Sequence, residues 1–245
     1  MNLKKIINLR TPHWFDFADL DPDTVEIRID GVIGGSFLED GNTAKDFIDR
    51  LNTISAPNLI LHLNSPGGMV FEGFAIYNAL RSSGKHVRVV IDGIAASIAA
   101  VIAMAGDEIV MPENSYLMVH YPWSIVMGNA DNMLAEADTL EKLGQSIEKI
   151  FADRSGQPSE TIQKLMRGDA GADGTFISAP EALELHLATE VEENKSRAAA
   201  CVGLDAFNLI PPALQNKEDK TAGDPPAEEN PESYKTVFSE FLKNN

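Results

Sequence analysis

The chain of 245 residues has one cysteine, only 7% aromatic residues, and 20 basic against 37 acidic side chains, for a net charge of −17. A single cysteine, Cys201, cannot form an internal disulfide. That excludes the small disulfide-stapled secreted scaffolds and fits a reducing compartment. The shortage of Lys and Arg argues against a nucleic-acid binder, which needs clustered cations to neutralise phosphates. It disfavours an anionic membrane surface for the same reason. Long hydrophobic runs are missing as well. The longest apolar stretch, Ile94 to Ala105, is interrupted by Ser97 and falls well short of the ~20 residues of a bilayer span. It reads as a buried helix in a soluble protein. Met1 to Arg10 has two lysines, but its apolar run breaks at Asn8 and Arg10, so it lacks a signal-peptide core and a cytoplasmic location is expected. The five histidines are scattered and Cys201 has no metal-type neighbour, so neither metal nor cofactor is expected.

What is present suffices for a large core. A 44% hydrophobic content over this length suggests one large α/β domain, or one domain with an appendage. Short apolar runs alternate with helical patterns. Strands are expected at Val25–Ile29, Leu59–Leu63, Val87–Ile91, Glu108–Met111 and Tyr116–Val119. Helices are expected at Thr43–Leu51, Val70–Arg81, Ser97–Ala105, Asn129–Ser155, Ser159–Arg167 and Ala179–Leu187, the last introduced by Ser178 and Pro180. Such alternation implies right-handed crossovers and a largely parallel sheet. The Asn129–Ser155 helix would span ~40 Å at 1.5 Å per residue, long enough either to project or to pack along the surface. Residues 216–232 read as an acidic flexible linker, and 233–245 as a short amphipathic tail with Tyr234, Val237, Phe238, Phe241 and Leu242 at helical spacing.

Candidate chemistry lies at strand ends. Ser97 follows Gly93-Ile94-Ala95-Ala96 and opens an alanine-rich helix. Unpaired first-turn amides and the helix dipole there could stabilise an oxyanion, although a serine at a helix start is most often only a cap. Gly67-Gly68 ends another strand and permits close backbone approach, as any tight turn would. His120 ends Tyr116–Val119 and could reach a neighbouring strand-end serine. Its rivals are weaker: His62 lies mid-strand, His86 after a turn, His13 near the terminus and His186 on a peripheral helix. Asp169 and Asp173, in the glycine-rich stretch Gly168–Gly174, are both candidates for the acid that would orient the imidazole.

Four segments together resemble the ClpP serine peptidases: Asn64-Ser65-Pro66-Gly67-Gly68, Gly93-x-Ala95-Ala96-Ser97, Met118-Val119-His120-x-Pro122, and Phe176-Ile177-Ser178-Ala179-Pro180-Glu181-Ala182. The resemblance looks closest to the ClpP-related head maturation (prohead) proteases of phages and prophages, and covers roughly residues 25–191. It implies a ClpP/crotonase-like α/β fold of repeated βαβ units, with the Asn129–Ser155 helix as a projecting handle. It also implies Ser97 as nucleophile, His120 as general base, and Gly68 and Ile98 as oxyanion-hole amides. The acid of cellular members lies two residues before the Phe, where this chain has Gly174. Many phage members carry it three residues before, which is Asp173 here, so Asp173 is preferred to Asp169.

The implied activity is endopeptidase cleavage through an acyl-enzyme, with protein or peptide substrates. Trimming of phage capsid or scaffold protein, in the host cytoplasm or inside the prohead, is the preferred role. The alternatives are an ATP-dependent Clp-type subunit working with an unfoldase, and a non-catalytic assembly protein of the same fold. Homo-oligomeric rings, as a heptamer or double ring, are implied. The expected organisation is an N-terminal segment 1–24, a peptidase domain 25–191, an extension 192–215, and then the linker and tail.

Overall fold

The computed structural model describes residues 14–34, 43–169 and 173–193. The chain separates into two units, Met1–Lys195 and Ser196–Asn245, and every described residue belongs to the first. The expected linker 216–232, tail 233–245 and nearly all of the extension 192–215 lie outside the described residues, as does His13.

Eight strands form one sheet. Strands β1 (Phe15–Asp21), β2 (Thr24–Asp30), β3 (Asn58–Ser65), β4 (His86–Ala96), β5 (Glu108–Pro112) and β8 (Glu190–Glu192) lie side by side in that order. β6 (Tyr116–Val119) pairs with β4, and β7 (Thr175–Ser178) with β6. The pairings from β2 to β5, β5–β8 and β4–β6 are parallel, whereas β1–β2 and β6–β7 are antiparallel. The helices are α1 (Ala44–Leu51), α2 (Val70–Ser82), α3 (Ile98–Ala103), α4 (Ala130–Ser155), α5 (Ser159–Arg167) and α6 (Ala179–Glu184).

All the strands and helices expected from periodicity are present, most within a residue or two. Three strands were not anticipated. β1 falls inside the segment 1–24 that the sequence set apart, where Phe15 and Phe17 pack edge-on or tilted against Phe47 of α1. β7 and β8 are short and carry little periodic signal. β4 runs five residues beyond its expected end, because Asp92-Gly93-Ile94 continues the extended chain through a small-residue stretch. α6 stops at Glu184 instead of Leu187, so His186 is not helical but takes a left-handed conformation just beyond it.

β4 positions the site. Its first half pairs with β5 at Arg88–Val90, and its second half with β6 at Ile94–Ala96. An irregularity opposite Leu63–Ser65 of β3 swings it from one neighbour to the other. Immediately afterwards comes α3, whose residues are all buried, as an all-apolar helix requires. Strands β2, β3 and β4 bury alternate residues, and the core side includes Ile27, Leu61, Val89, Phe47, Ile76 and Leu80. The opposite face is polar, with cross-strand contacts in which Asp92 bridges His62 by a hydrogen bond at 2.8 Å and Arg28 by an ion pair at 3.6 Å.

α4 has two halves. From Gly144 onward it buries Ile147, Phe151 and Ser155. Before that, Met133 and Leu134 are exposed, and Asn129 closes a capping box with Asn132. The N-terminal half therefore extends past the body of this unit, which decides between the two readings of this helix in favour of projection.

Candidate active site

Three parallel strands, β3, β4 and β6, deliver Gly67-Gly68, Ser97 and His120 at their carboxyl ends. In open α/β sheets that edge is where ligands bind. The pairing of Ala96 with Met118 brings Ser97 beside the end of β6, and the Ser97 N–H donates to the Met118 carbonyl at 2.8 Å. His120 lies two residues beyond Met118, just past the end of β6, close enough for its Nε2 to lie 2.8 Å from Ser97 Oγ.

Ser97 occupies the N-cap position of α3, but its side chain makes no capping bond. Its backbone is left-handed, with φ 56° and ψ −127°, an uncommon conformation for a residue with a Cβ. A capping serine would be extended and would turn its hydroxyl onto the helix amides. This one faces the histidine instead.

The amides around Ser97 are open. Neither the N–H of Gly68 nor that of Ile98 donates to an acceptor among the described residues. The Gly67-Gly68 backbone abuts Ser97: a Cβ on Gly67, where φ is +98°, would lie 2.7 Å from the Ser97 Cβ and 3.3 Å from the Ile98 N. A Cβ on Gly68 would collide with the Ile33 carbonyl at 2.1 Å. Ile33 in turn holds this turn, donating to Gly67 O at 2.8 Å and accepting from Met69 N at 3.0 Å. Only glycine fits at either position.

Asp173, one of the two carboxylates picked out in the sequence, approaches the other ring nitrogen, with Oδ2 3.5 Å from His120 Nδ1. Nδ1 is buried and has no hydrogen-bond partner, so the carboxylate approaches the ring without an aligned bond. The imidazole side chain is 8% exposed and the carboxylate 78%. Asp169 forms neither a hydrogen bond nor an ion pair with the ring. The other described histidines are elsewhere: His62 is tied to Asp92, His86 approaches Glu108 at 3.6 Å, and His186 approaches the Ser155 carbonyl.

Ser97 and His120 open into a cleft of about 630 Å³. Its walls include Val32, Met69, Val70, Met118, Trp123 and Phe176. Apart from Phe176 and Met118, which fell inside quoted motifs, these apolar wall residues were not singled out in the sequence. An apolar side chain at a loop or strand end has no periodicity to distinguish it from core. The exposure of Met69, Trp123 and Phe176 is apparent only once the strands are assembled.

The arrangement can deprotonate a hydroxyl, hold a planar carbonyl against it, and offer two free amides to the oxygen. Comparison with known proteins agrees with that chemistry. The family model for Clp protease matches residues 38–195. The chain is 33% identical over 146 residues to the ATP-dependent Clp protease proteolytic subunit of Ligilactobacillus salivarius (strain UCC118), spanning 58% of this chain and 71% of that protein. It is 33% identical over 171 residues to ATP-dependent Clp protease proteolytic subunit 1 of Bacillus cereus (strain ATCC 10987 / NRS 248), spanning 67% of this chain and 85% of that one. The chain belongs to the Clp protease family.

Proposed function

We propose that the chain is a serine endopeptidase in which Ser97 is the nucleophile, His120 the general base, Asp173 the acid that orients it, and Gly68 and Ile98 the oxyanion donors. The observation that carries this reading is the 2.8 Å contact between Ser97 Oγ and His120 Nε2, made by a serine that forgoes its capping bond. Ser97 Oγ attacks the scissile carbonyl as His120 Nε2 takes its proton. The carbonyl oxygen, now negative, rests on the Gly68 and Ile98 amides. His120 then protonates the leaving amine, and an acyl-enzyme on Ser97 remains. Water, deprotonated by the same imidazole, releases the acid product and restores the hydroxyl. Asp173 stabilises the imidazolium formed in both halves. The apolar cleft receives the side chains flanking the bond, and an extended peptide can lie along the β3 end at Gly68.

Two roles share this chemistry. The trimming of phage capsid or scaffold protein is supported by the acid lying three residues before Phe176 and by the residues that follow the matched region, 196–245. A proteolytic subunit served by an unfoldase is supported by the names of the two relatives. Both fit assembly into rings through the exposed half of α4. The test is cleavage of an unfolded protein and of short fluorogenic peptides by the full chain. Peptidase activity that disappears with Ser97→Ala is expected. No cleavage by the wild-type chain, or undiminished cleavage by Ser97→Ala, overturns the reading. Degradation of a stably folded substrate that needs a Clp-type ATPase and ATP selects the unfoldase-served role. Specific trimming of a coexpressed coat or scaffold protein without ATP selects the other.

A further inference from the structure

The base of the site is a stack of bare backbone. β6 and β7 run antiparallel with Val119 opposite Thr175, so Gly174 passes next to His120 just beyond the ladder. Gly174 has φ +92°, and a Cβ there would lie 2.3 Å from the Val119 carbonyl oxygen and 2.5 Å from the His120 Cβ. Gly168 lies behind it with φ +70°, and a Cβ on that residue would lie 2.3 Å from the Gly174 carbonyl oxygen. All three distances are to backbone atoms or to Cβ, none of which can swing aside as a side-chain tip can. The two ends of the stretch are also tied down. The Gly168 N–H donates to the Lys164 carbonyl at 3.0 Å, and the Thr175 hydroxyl donates to the Leu165 carbonyl at 2.6 Å, fastening β7 to the end of α5.

We infer that Gly174, backed by Gly168, is the positioning residue for His120: the absence of two side chains lets the backbone of these two glycines stack against the end of β6 and fix the imidazole at hydrogen-bond distance from Ser97. The inference rests on the proposed peptidase reading and adds the element that sets its geometry. The same stack determines which carboxylate can approach. With Gly174 against His120, the residue before it is the one whose side chain reaches Nδ1, and that residue is Asp173. A side chain at position 174 pushes His120 away from Ser97, while Val32, Met69 and Val70, which line the cleft from outside the β6–β7 pair, stay in place. Displacing a catalytic group by about 1 Å costs on the order of 100-fold in rate.

The test compares Gly174→Ala and Gly168→Ala with Gly84→Ala. Gly84 has φ +68° but nothing within 4 Å of its Cβ position, so that variant carries the left-handed backbone penalty alone. For peptide cleavage by the full chain, Gly174→Ala is expected to lower kcat by about 100-fold with little change in KM. Gly168→Ala shifts kcat in the same direction by a smaller factor, and Gly84→Ala leaves both constants unchanged. The His120 ring resonances, assigned by NMR with His120→Gln, move in the first two variants and not in the third. That second readout is independent of turnover. If the wild type cleaves nothing, the peptidase reading fails and the ring resonances alone decide this one. Unchanged kcat and unchanged His120 resonances in folded Gly174→Ala overturn the inference. Should Gly174→Ala fail to fold, Gly168→Ala decides by the same two readouts.

Discussion

Ser97, with φ 56° and ψ −127°, is one of two non-glycine residues with positive φ among those described. Its neighbours are what tolerate this. Gly67 leaves room for the Ser97 Cβ, and the Ser97 N–H is anchored on the Met118 carbonyl. Strain held this way keeps the hydroxyl off the helix amides and on the histidine. Replacing Ser97 by Ala is expected to lower peptide cleavage by three orders of magnitude or more, measured as single-turnover rates with folding checked by circular dichroism. The two loop carboxylates should separate. Asp173→Asn is expected to reduce kcat by roughly 10- to 100-fold, less than a buried and aligned triad acid would, because the carboxylate is mostly exposed and 3.5 Å from Nδ1. Asp169→Asn should leave kcat within a factor of about two, as befits a surface change. A larger loss with Asp169→Asn would reverse the assignment. Ser97, His120 and the glycine pair were legible in the sequence as one set only through the resemblance of four ordered motifs to the ClpP peptidases, since each residue alone reads equally well as a helix cap, a strand end or a tight turn. The choice between Asp169 and Asp173 was not legible from the residues, since a glycine-rich loop has no period to tell which side chain points inward.

At the scale of elements, local signals set the helix boundaries. Thr43 and Asp46 close a capping box on α1, with the Thr43 N–H donating to the carboxylate at 3.0 Å and the Thr43 hydroxyl at 2.6 Å. Those bonds, the hydroxyl's first, hold the Asp46 carboxyl below the usual carboxylate range. A carboxyl whose pKa is depressed in the folded state stabilises the fold above its unfolded pKa and loses that contribution as pH falls through the folded value. Thr43→Ala should therefore cost about 1 kcal/mol near neutral pH, and the gap from wild type should shrink in strong acid. Thermal melts across the acid range test this, and a gap that widens in acid would contradict it. Gly73 is a second device: a Cβ there would lie 2.1 Å from the Ile98 Cγ1, so α2 packs directly on the buried α3. Gly73→Ala should destabilise by about 1–3 kcal/mol through overpacking, read from denaturant midpoints. Helices with caps and strands with alternating burial were readable. β1, β7 and β8 were not, because antiparallel edge pairing and three- or four-residue strands take their stability from partners and not from their own pattern.

At the scale of the molecule, two features of the described unit call for a partner. Parallel sheets are normally covered on both faces, yet here one face is polar and open, laced by Arg28, His62, Arg88, Asp92 and Glu108. The N-terminal half of α4 and the loop before it expose Trp123, Ile125, Met127, Met133 and Leu134. Exposed apolar groups gathered on a projecting element mark an interaction surface. The chain should therefore have a mass in solution that is a multiple of 26.6 kDa, and Met133→Glu with Leu134→Glu should lower it. Light scattering reads the result, and a monomeric wild type would contradict the assembly account. The excess of acid over base remains consistent with protein substrates and against nucleic acid, and no helix among the described residues is long and apolar enough to cross a membrane.

The central claim, that Ser97 activated by His120 forms an acyl-enzyme, is tested most directly by reacting the full chain with a fluorophosphonate and locating the adduct by peptide mass spectrometry. The predicted result is one adduct per chain, on Ser97, absent in Ser97→Ala and formed far more slowly in His120→Ala. An adduct on another residue, or no adduct on a chain that still cleaves peptides, would contradict it.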